Sequence, residues 1–299
     1  MDTPRPYLRI ALFAAVLVVV FGAAAALGSL VEPAETEETG MEETMATHTA
    51  ETETHGGHAS GEGEHGPAGL GVAEDGYAVR FGPTRFERGE AGELRFAIEG
   101  PGGEPVTGFD EMHERRLHLI VVRRDGTGFR HLHPEMGAGG TWSVPVRFAE
   151  AGVYRAFADF SVDGEHHTLA GDLFVSGGGF EARPFPAPRP VAAAGGYEVR
   201  LRAGEPVAGE PTPLVFAVAE GGDPVPDLQP YLGARGHLVA LREGDLAFLH
   251  VHPQEGHRVD ADEIAFEATF PTAGRYRLYL QFKHGDTVRT VEFTVVVPR

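Results

Sequence analysis

The sequence predicts an all-β protein: two tandem immunoglobulin-like or cupredoxin-like β-sandwich domains behind an N-terminal transmembrane helix and a disordered acidic tether. Three observations lead there. From about residue 70 the chain runs in short apolar segments broken by Gly, Pro and Asp, without helical periodicity. That pattern then occurs a second time. Ahead of both copies the composition is of another kind, first apolar and then acidic.

The N-terminal segment sets location. Residues 1–9 carry Arg5 and Arg9, and residues 10–31 are uncharged. At about 1.5 Å per residue such a helix reaches about 33 Å, enough for a hydrocarbon core of about 30 Å. Arginines before it and acidic residues after it put the N-terminus in the cytoplasm and the remainder outside, in a single-pass protein of the cell membrane. Cleavage after Ala24-Ala25-Ala26 is the alternative and gives a secreted protein. Residues 32–67 hold Glu, Thr, Gly, Ala and His with few large apolar side chains, so they cannot offset their ordering entropy and read as a tether.

The first sandwich is expected over residues 70–176, with strand-like runs at 77–81, 94–98, 117–123, 142–148, 152–160 and 168–175. Residues 177–194, rich in Gly and Pro, read as an extended linker. The second sandwich follows over 195–299. The halves align: Gly76-Tyr77-Ala78-Val79-Arg80 with Gly196-Tyr197-Glu198-Val199-Arg200, and Leu94–Ile98 with Leu214–Val218. Tyr154 and Tyr276, each in Ala-Gly-x-Tyr, suit a tyrosine corner, in which the hydroxyl returns to nearby backbone.

Composition narrows the chemistry. The net charge is −19, and ten of the glutamates lie in residues 31–66 without Lys or Arg, which argues against nucleic acid. There is no cysteine, so metal binding must use His, Met or carboxylates. No nucleophile elbow, phosphate loop or His-Glu-x-x-His appears, and the protein is read as a non-enzyme.

The histidines are the strongest signal. His118 lies on one predicted strand, and His131 and His133 lie on the next, after Asp125-Gly126-Thr127-Gly128. A four-residue loop pairing Arg124 with Phe129 would set His131 opposite Val122 and His133 opposite Ile120, with all three histidines on one face. His237, His250 and His252 repeat the spacing at an offset of 119. Converging imidazoles can hold one ion. That face also carries Ile120 and Val122, however, and a core histidine donating to a carbonyl would share the pattern. Weaker candidates are Met112, His113, His166, His167, His257 and His284, with His166 and His167 expected in the loop after Asp163-Gly164. The tether adds Met41, Met45, His48, His55, His58 and His65. Histidine and methionine without cysteine suit copper, or zinc and nickel through histidine. Imidazole must be neutral to ligate, so binding should weaken below about pH 6.

The segments LHLIVVRRDGTGFRHLHP, DLQPYLGARGHLVALREGDLAFLHVHP and FPTAGRYRLYLQF resemble a group of exported, membrane-anchored bacterial two-repeat β-sandwich proteins sometimes labelled heavy-metal-associated. Their sandwich is similar to periplasmic copper-resistance and cupredoxin-like domains. The resemblance implies metal handling, although the cysteine of a blue-copper site is missing. The expected function is a membrane-anchored, extracytoplasmic carrier, buffer or sensor of a metal ion, copper first. Its expected partners are that ion, the membrane through the N-terminal helix, and a membrane or cell-surface protein. The alternative is a non-metal structural or protein-interaction module at the cell surface.

Overall fold

The computed structural model describes residues 67–249, 251–254 and 260–299. The expected anchor and tether, with their His and Met, lie outside them, as do His250 and His257. Among the described residues no helix is long and apolar enough to cross a membrane.

The chain forms two all-β sandwiches, each closing on its own core. The first contains β1 (Ala73–Glu74), β2 (Tyr77–Phe81), β3 (Arg85–Glu87), β4 (Ala91–Glu99), β5 (Leu117–Arg123), β6 (Arg130–Leu132), β7 (Glu135–Met136), β8 (Thr141–Arg147), β9 (Gly152–Val162) and β10 (Glu165–Ser176). Its sheets run β1-β2-β4-β8-β7 and β3-β10-β9-β5-β6. The second contains β11 (Val191–Ala194), β12 (Tyr197–Ala203), β13 (Pro211–Glu220), β14 (Asp223–Pro224), β15 (Gly236–Arg242), β16 (Phe248–Leu249), β17 (Val251–Pro253), β18 (Glu263–Thr269), β19 (Gly274–His284) and β20 (Thr287–Val297). Its sheets run β11-β12-β13-β18-β17 and β16-β15-β19-β20. The end of the expected linker, Val191–Ala194, is therefore a strand, paired with β12.

Both tyrosine corners form. Tyr154 donates to the Glu150 carbonyl at 2.9 Å and Tyr276 to that of Thr272 at 2.9 Å. In each sandwich the corner locks the turn into the long strand that carries the sheet's centre.

Strand β5 is buried along its whole length. Successive side chains alternate between faces, so burial of both faces needs two partners. Leu117, Leu119 and Val121 point into the first core, with Phe96, Trp142 and Phe160. Ile120 and Val122 point outward and join Phe157, Val239, Leu241, Phe248 and Tyr279 in a third apolar cluster contributed by both repeats. The outer faces of the two sheets are thus packed on each other. Phe129 stacks on Tyr279 with centroids 4.1 Å apart, and Phe248, the counterpart of Phe129, meets Phe157, the counterpart of Tyr279, at 5.5 Å. Equivalent residues meet crosswise, as in an isologous dimer interface. Tyr279 also donates to the Gly126 carbonyl at 2.6 Å.

Phe185 of the linker is buried in this cluster, and Arg275 donates to the Phe185 and Pro186 carbonyls. Gly126, at φ 74°, lies where a Cβ would come within 2.5 Å of the Phe185 ring. The linker therefore follows the seam between the repeats. Its aromatic anchor is the reason it cannot be a bare spacer.

Candidate metal centre

The hairpin that carries the histidines forms in a register different from the expected one. Val121 pairs with Arg130 and Ile120 with His131, so the pairing of Arg124 with Phe129 is replaced by one two residues away. The cause is a longer turn held by Asp125. Its carboxylate takes hydrogen bonds from the Thr127 amide and hydroxyl and a bidentate pair from Arg123, while the Arg123 amide donates to the Thr127 carbonyl. A slip of two residues preserves parity. All three histidines therefore still share a face, and extending the register brings His133 opposite His118.

That face is the outer one, turned to the second repeat. The core reading of Ile120 and Val122 is corrected accordingly: they are buried between domains. One ligand-capable atom from each of His118, His131 and His133 lies within 4.8 Å of the others. Ring centroids are 5.0 Å apart for His118 and His131, 5.3 Å for His118 and His133, and 4.8 Å for His131 and His133. Metal–imidazole bonds of about 2.0–2.1 Å would put centroids about 4.5 Å apart at 90° and about 5.2 Å apart at the tetrahedral angle. The three rings have the spacing of ligands on one ion.

The hydrogen bonds determine which nitrogens are available. His118 Nε2 donates to the Met112 carbonyl at 3.0 Å, which leaves Nδ1 bare in the neutral ring. His131 Nδ1 lies 2.6 Å from Gln281 Oε1, across the seam on β19. With the carboxamide in that orientation Nδ1 carries the proton, and His131 Nε2 is bare as well. The two bare nitrogens face each other at 2.9 Å. Cis ligands on one ion would lie about 2.9 Å apart. Without an ion the facing lone pairs are reconciled by turning the Gln281 amide, after which His131 Nε2–H donates to His118 Nδ1. His133 Nε2 is buried and has no hydrogen-bond partner among the described residues. An orphaned imidazole nitrogen in a ring cluster fits a ligand.

Burial is the main influence on these side chains and disfavours the imidazolium. It lowers His118, where the bond to Met112 partly offsets it. His131 is pushed well below the usual range, with added repulsion from His237 and His118. His133 is lowered to about 4 and His237 to about 3. Burial thus favours the neutral form throughout the cluster, the form that ligation requires.

The remaining candidates divide. His237, on β15, faces the first repeat, with its ring 4.6 Å from His131 and 5.8 Å from His118. His252 is exposed on β17, which pairs with β18 in the opposite sheet. Met112 acts through its backbone carbonyl. His113 is exposed at the rim, 6.1 Å from His118 and 6.0 Å from His237. His166 and His167 are not in a loop: the Asp163-Gly164 turn is so tight that Glu165 already pairs with Val162, placing both on β10. His166 bonds to Asp159 at 3.0 Å, and His167 is buried against Tyr77 and Phe160. His284 is engaged by Tyr197 at 2.7 Å and Asp227 at 3.2 Å. Gln281 escaped the sequence reading. Its signal was a lone amide in the apolar run Leu278-Tyr279-Leu280-Gln281-Phe282.

Residues 72–177 and 192–299 each match the family Domain of unknown function (DUF8832), and the chain belongs to that family as two copies of its domain. No curated protein matches. Among solved structures, Salmonella alpha-2-macroglobulin reacted with methylamine is 14% identical with a TM-score of 0.28, covering 78% of this chain and 15% of its own. This chain thus spans only that small share of the macroglobulin. The adhesin FdeC of Escherichia coli is 11% identical with a TM-score of 0.26, covering 75% of this chain and 65% of its own. The Lin-41 filamin domain is 10% identical with a TM-score of 0.25, covering 36% and 97%. These comparisons lend no support to a heavy-metal label.

Proposed function

We propose that this protein binds a borderline divalent metal ion, copper or zinc, through His118, His131 and His133, and serves as a carrier, buffer or sensor outside the cytoplasm, held to the membrane by residues 10–31. The observation that supports this reading best is the facing pair of imidazole nitrogens. Their outer nitrogens are fixed by a carbonyl and a carboxamide, the usual support for ligating histidines. Neutral nitrogen donors without carboxylates do not suit calcium or magnesium, which take oxygen. The rival is an interaction module in which the same imidazoles only tie the repeats together, and the 2.6 Å contact of His131 with Gln281 across the seam is what favours it.

Thermal unfolding separates the two readings. The protein is the full chain with His48, His55, His58 and His65 replaced by alanine, mixed separately with Cu(II), Zn(II) and Ni(II). An ion that binds only the folded state adds about 2.7 kcal/mol at one hundred times its dissociation constant. For a unit of this size that raises the midpoint by about 5–10 °C. His131→Ala with His133→Ala should abolish the rise. Absence of a rise with every ion would leave the interaction module.

A further inference from the structure

We propose that His237 of the second repeat is a fourth ligand, so that the two repeats share one ion and that ion fastens them face to face. This inference rests on the three-histidine reading and goes beyond it. Sequence spacing alone suggests two sites, one per repeat; the fold points to one.

Three observations carry it. First, the ring of His237 lies against the cluster: its 4.6 Å and 5.8 Å separations from His131 and His118 bracket the 4.8–5.3 Å among the other three. One ion would place imidazole centroids about 4.5–6.4 Å apart, from cis to trans. His237 is not among the three whose nitrogens already converge. Turning about χ2, a broad two-fold torsion, is the motion by which it would present a nitrogen.

Second, His237 is an imidazole on an otherwise apolar face. It shares the outward side of β15 with Val239 and Leu241, which are buried in the seam. It is the polar group that this side of β15 turns towards the histidines of the first repeat.

Third, the second repeat already serves the site. Gln281, which meets His131 at 2.6 Å, is the strand partner of His237. It is a positioning residue: its carboxamide oxygen accepts the His131 Nδ1 proton and leaves Nε2 for the ion. His113 is a poorer fourth ligand, because it is exposed on the rim and both of its ring separations are near 6 Å, whereas His237 comes within 4.6 Å of His131.

Four neutral imidazoles leave the ion its full double charge. That donor set suits Cu(II), Zn(II) or Ni(II) and not a hard cation. With ligands from both repeats, ion occupancy and docking of the repeats must strengthen each other reciprocally.

Copper titration and electron paramagnetic resonance of the full chain, with the same four N-terminal-region histidines replaced, test the sharing. The parent should bind one Cu(II) per chain with a four-nitrogen hyperfine pattern. His237→Ala should keep one Cu(II), show three nitrogens and an oxygen, and lose affinity by at least about tenfold, since even the loss of an orienting partner costs about 10–100-fold. His237→Asn should read the same if the alanine variant folds poorly. A variant with parental spectrum and affinity would overturn the sharing and leave the three-histidine site. Two ions bound per chain, or three nitrogens in the parent, would overturn it too. A parent that binds no copper, zinc or nickel would remove both proposals.

Discussion

The two repeats have the same fold and put the same hairpin in the same register, yet they contribute unequally. Val121 pairs with Arg130 in the first, and their counterparts Ala240 and Leu249 pair in the second. The first repeat supplies His118, His131 and His133, whereas the second supplies His237 and Gln281. Where the first has Met112, His113 and Asp159, the second has Tyr231, Leu232 and Gln281. Asp159 turns to its own neighbours His166 and Thr168, while Gln281 reaches across the seam. The crosswise aromatic contacts differ as well. Phe129 on Tyr279 is stacked at 9° with a hydrogen bond beside it, while Phe157 on Phe248 is tilted at 50°. A duplicated scaffold has thus kept a near-symmetric joint while its polar residues have specialised.

The joint can be broken most severely at Tyr279. Tyr279→Ala removes the stacked ring and the bond to Gly126, and should cost about 3–5 kcal/mol. Calorimetry should then resolve two transitions, one per repeat. Tyr279→Phe leaves the buried Gly126 carbonyl without that donor and should cost about 1–3 kcal/mol. A loss under 1 kcal/mol for the alanine variant would mean that the repeats are not coupled through this face.

Acid should sharpen the contrast between the histidine seam and the rest. The four clustered imidazoles are depressed in the folded state and titrate at about 6.5 when unfolded. Below about pH 6.5 the unfolded chain binds more protons. Stability is therefore fully present above that pH and is lost as the pH falls towards about 4. For His166, burial lowers the pKa but the Asp159 carboxylate outweighs it, so the net shift is upward. Its contribution has the opposite sign: present below about pH 6.5 and lost as the pH rises through its folded value. Denaturant unfolding of metal-free protein at pH 7.5, 6 and 5 should show a progressive fall, smaller in His237→Ala. A flat profile would contradict neutral, buried imidazoles. Metal binding should likewise persist below the pH 6 limit expected for exposed histidines.

Smaller effects test the equivalence of the halves. Tyr154→Phe should cost about 0.5–1.5 kcal/mol by removing one corner hydrogen bond, and Tyr276→Phe at least as much, because its hydroxyl also meets the Thr272 amide and hydroxyl. A smaller cost for Tyr276→Phe would show that these added contacts carry nothing. His252→Ala, at an exposed position, should change stability by no more than about 0.5 kcal/mol and leave the ion-induced rise unchanged.

What was legible in the sequence was local. Turn residues, alternating strands and the repeated Gly-x-Tyr gave the sandwiches, the duplication and the corners. The parity that aligns His118, His131 and His133 also came through, because an error of two residues in the turn returns each side chain to its own face. The joint was not legible. The run Leu117-His118-Leu119-Ile120-Val121-Val122 signals burial on both faces but cannot say what covers the second. Spacing groups His237 with His250 and His252, and it cannot show that the rings beside His237 come from the two strands of a hairpin more than a hundred residues earlier. His166 and His167 were displaced for a smaller reason: a two-residue turn takes less chain than the loop allowed for it.

The central claim is that one ion sits between the repeats, and anomalous diffraction locates an ion directly. Crystals of the full chain grown with Cu(II) or Zn(II) should be measured on either side of the metal absorption edge. The account predicts one strong peak per chain in the seam, within bonding distance of His118 Nδ1, His131 Nε2 and a nitrogen of His133. Density bare of any peak there, with the His118–His131 hydrogen bond intact, would contradict it.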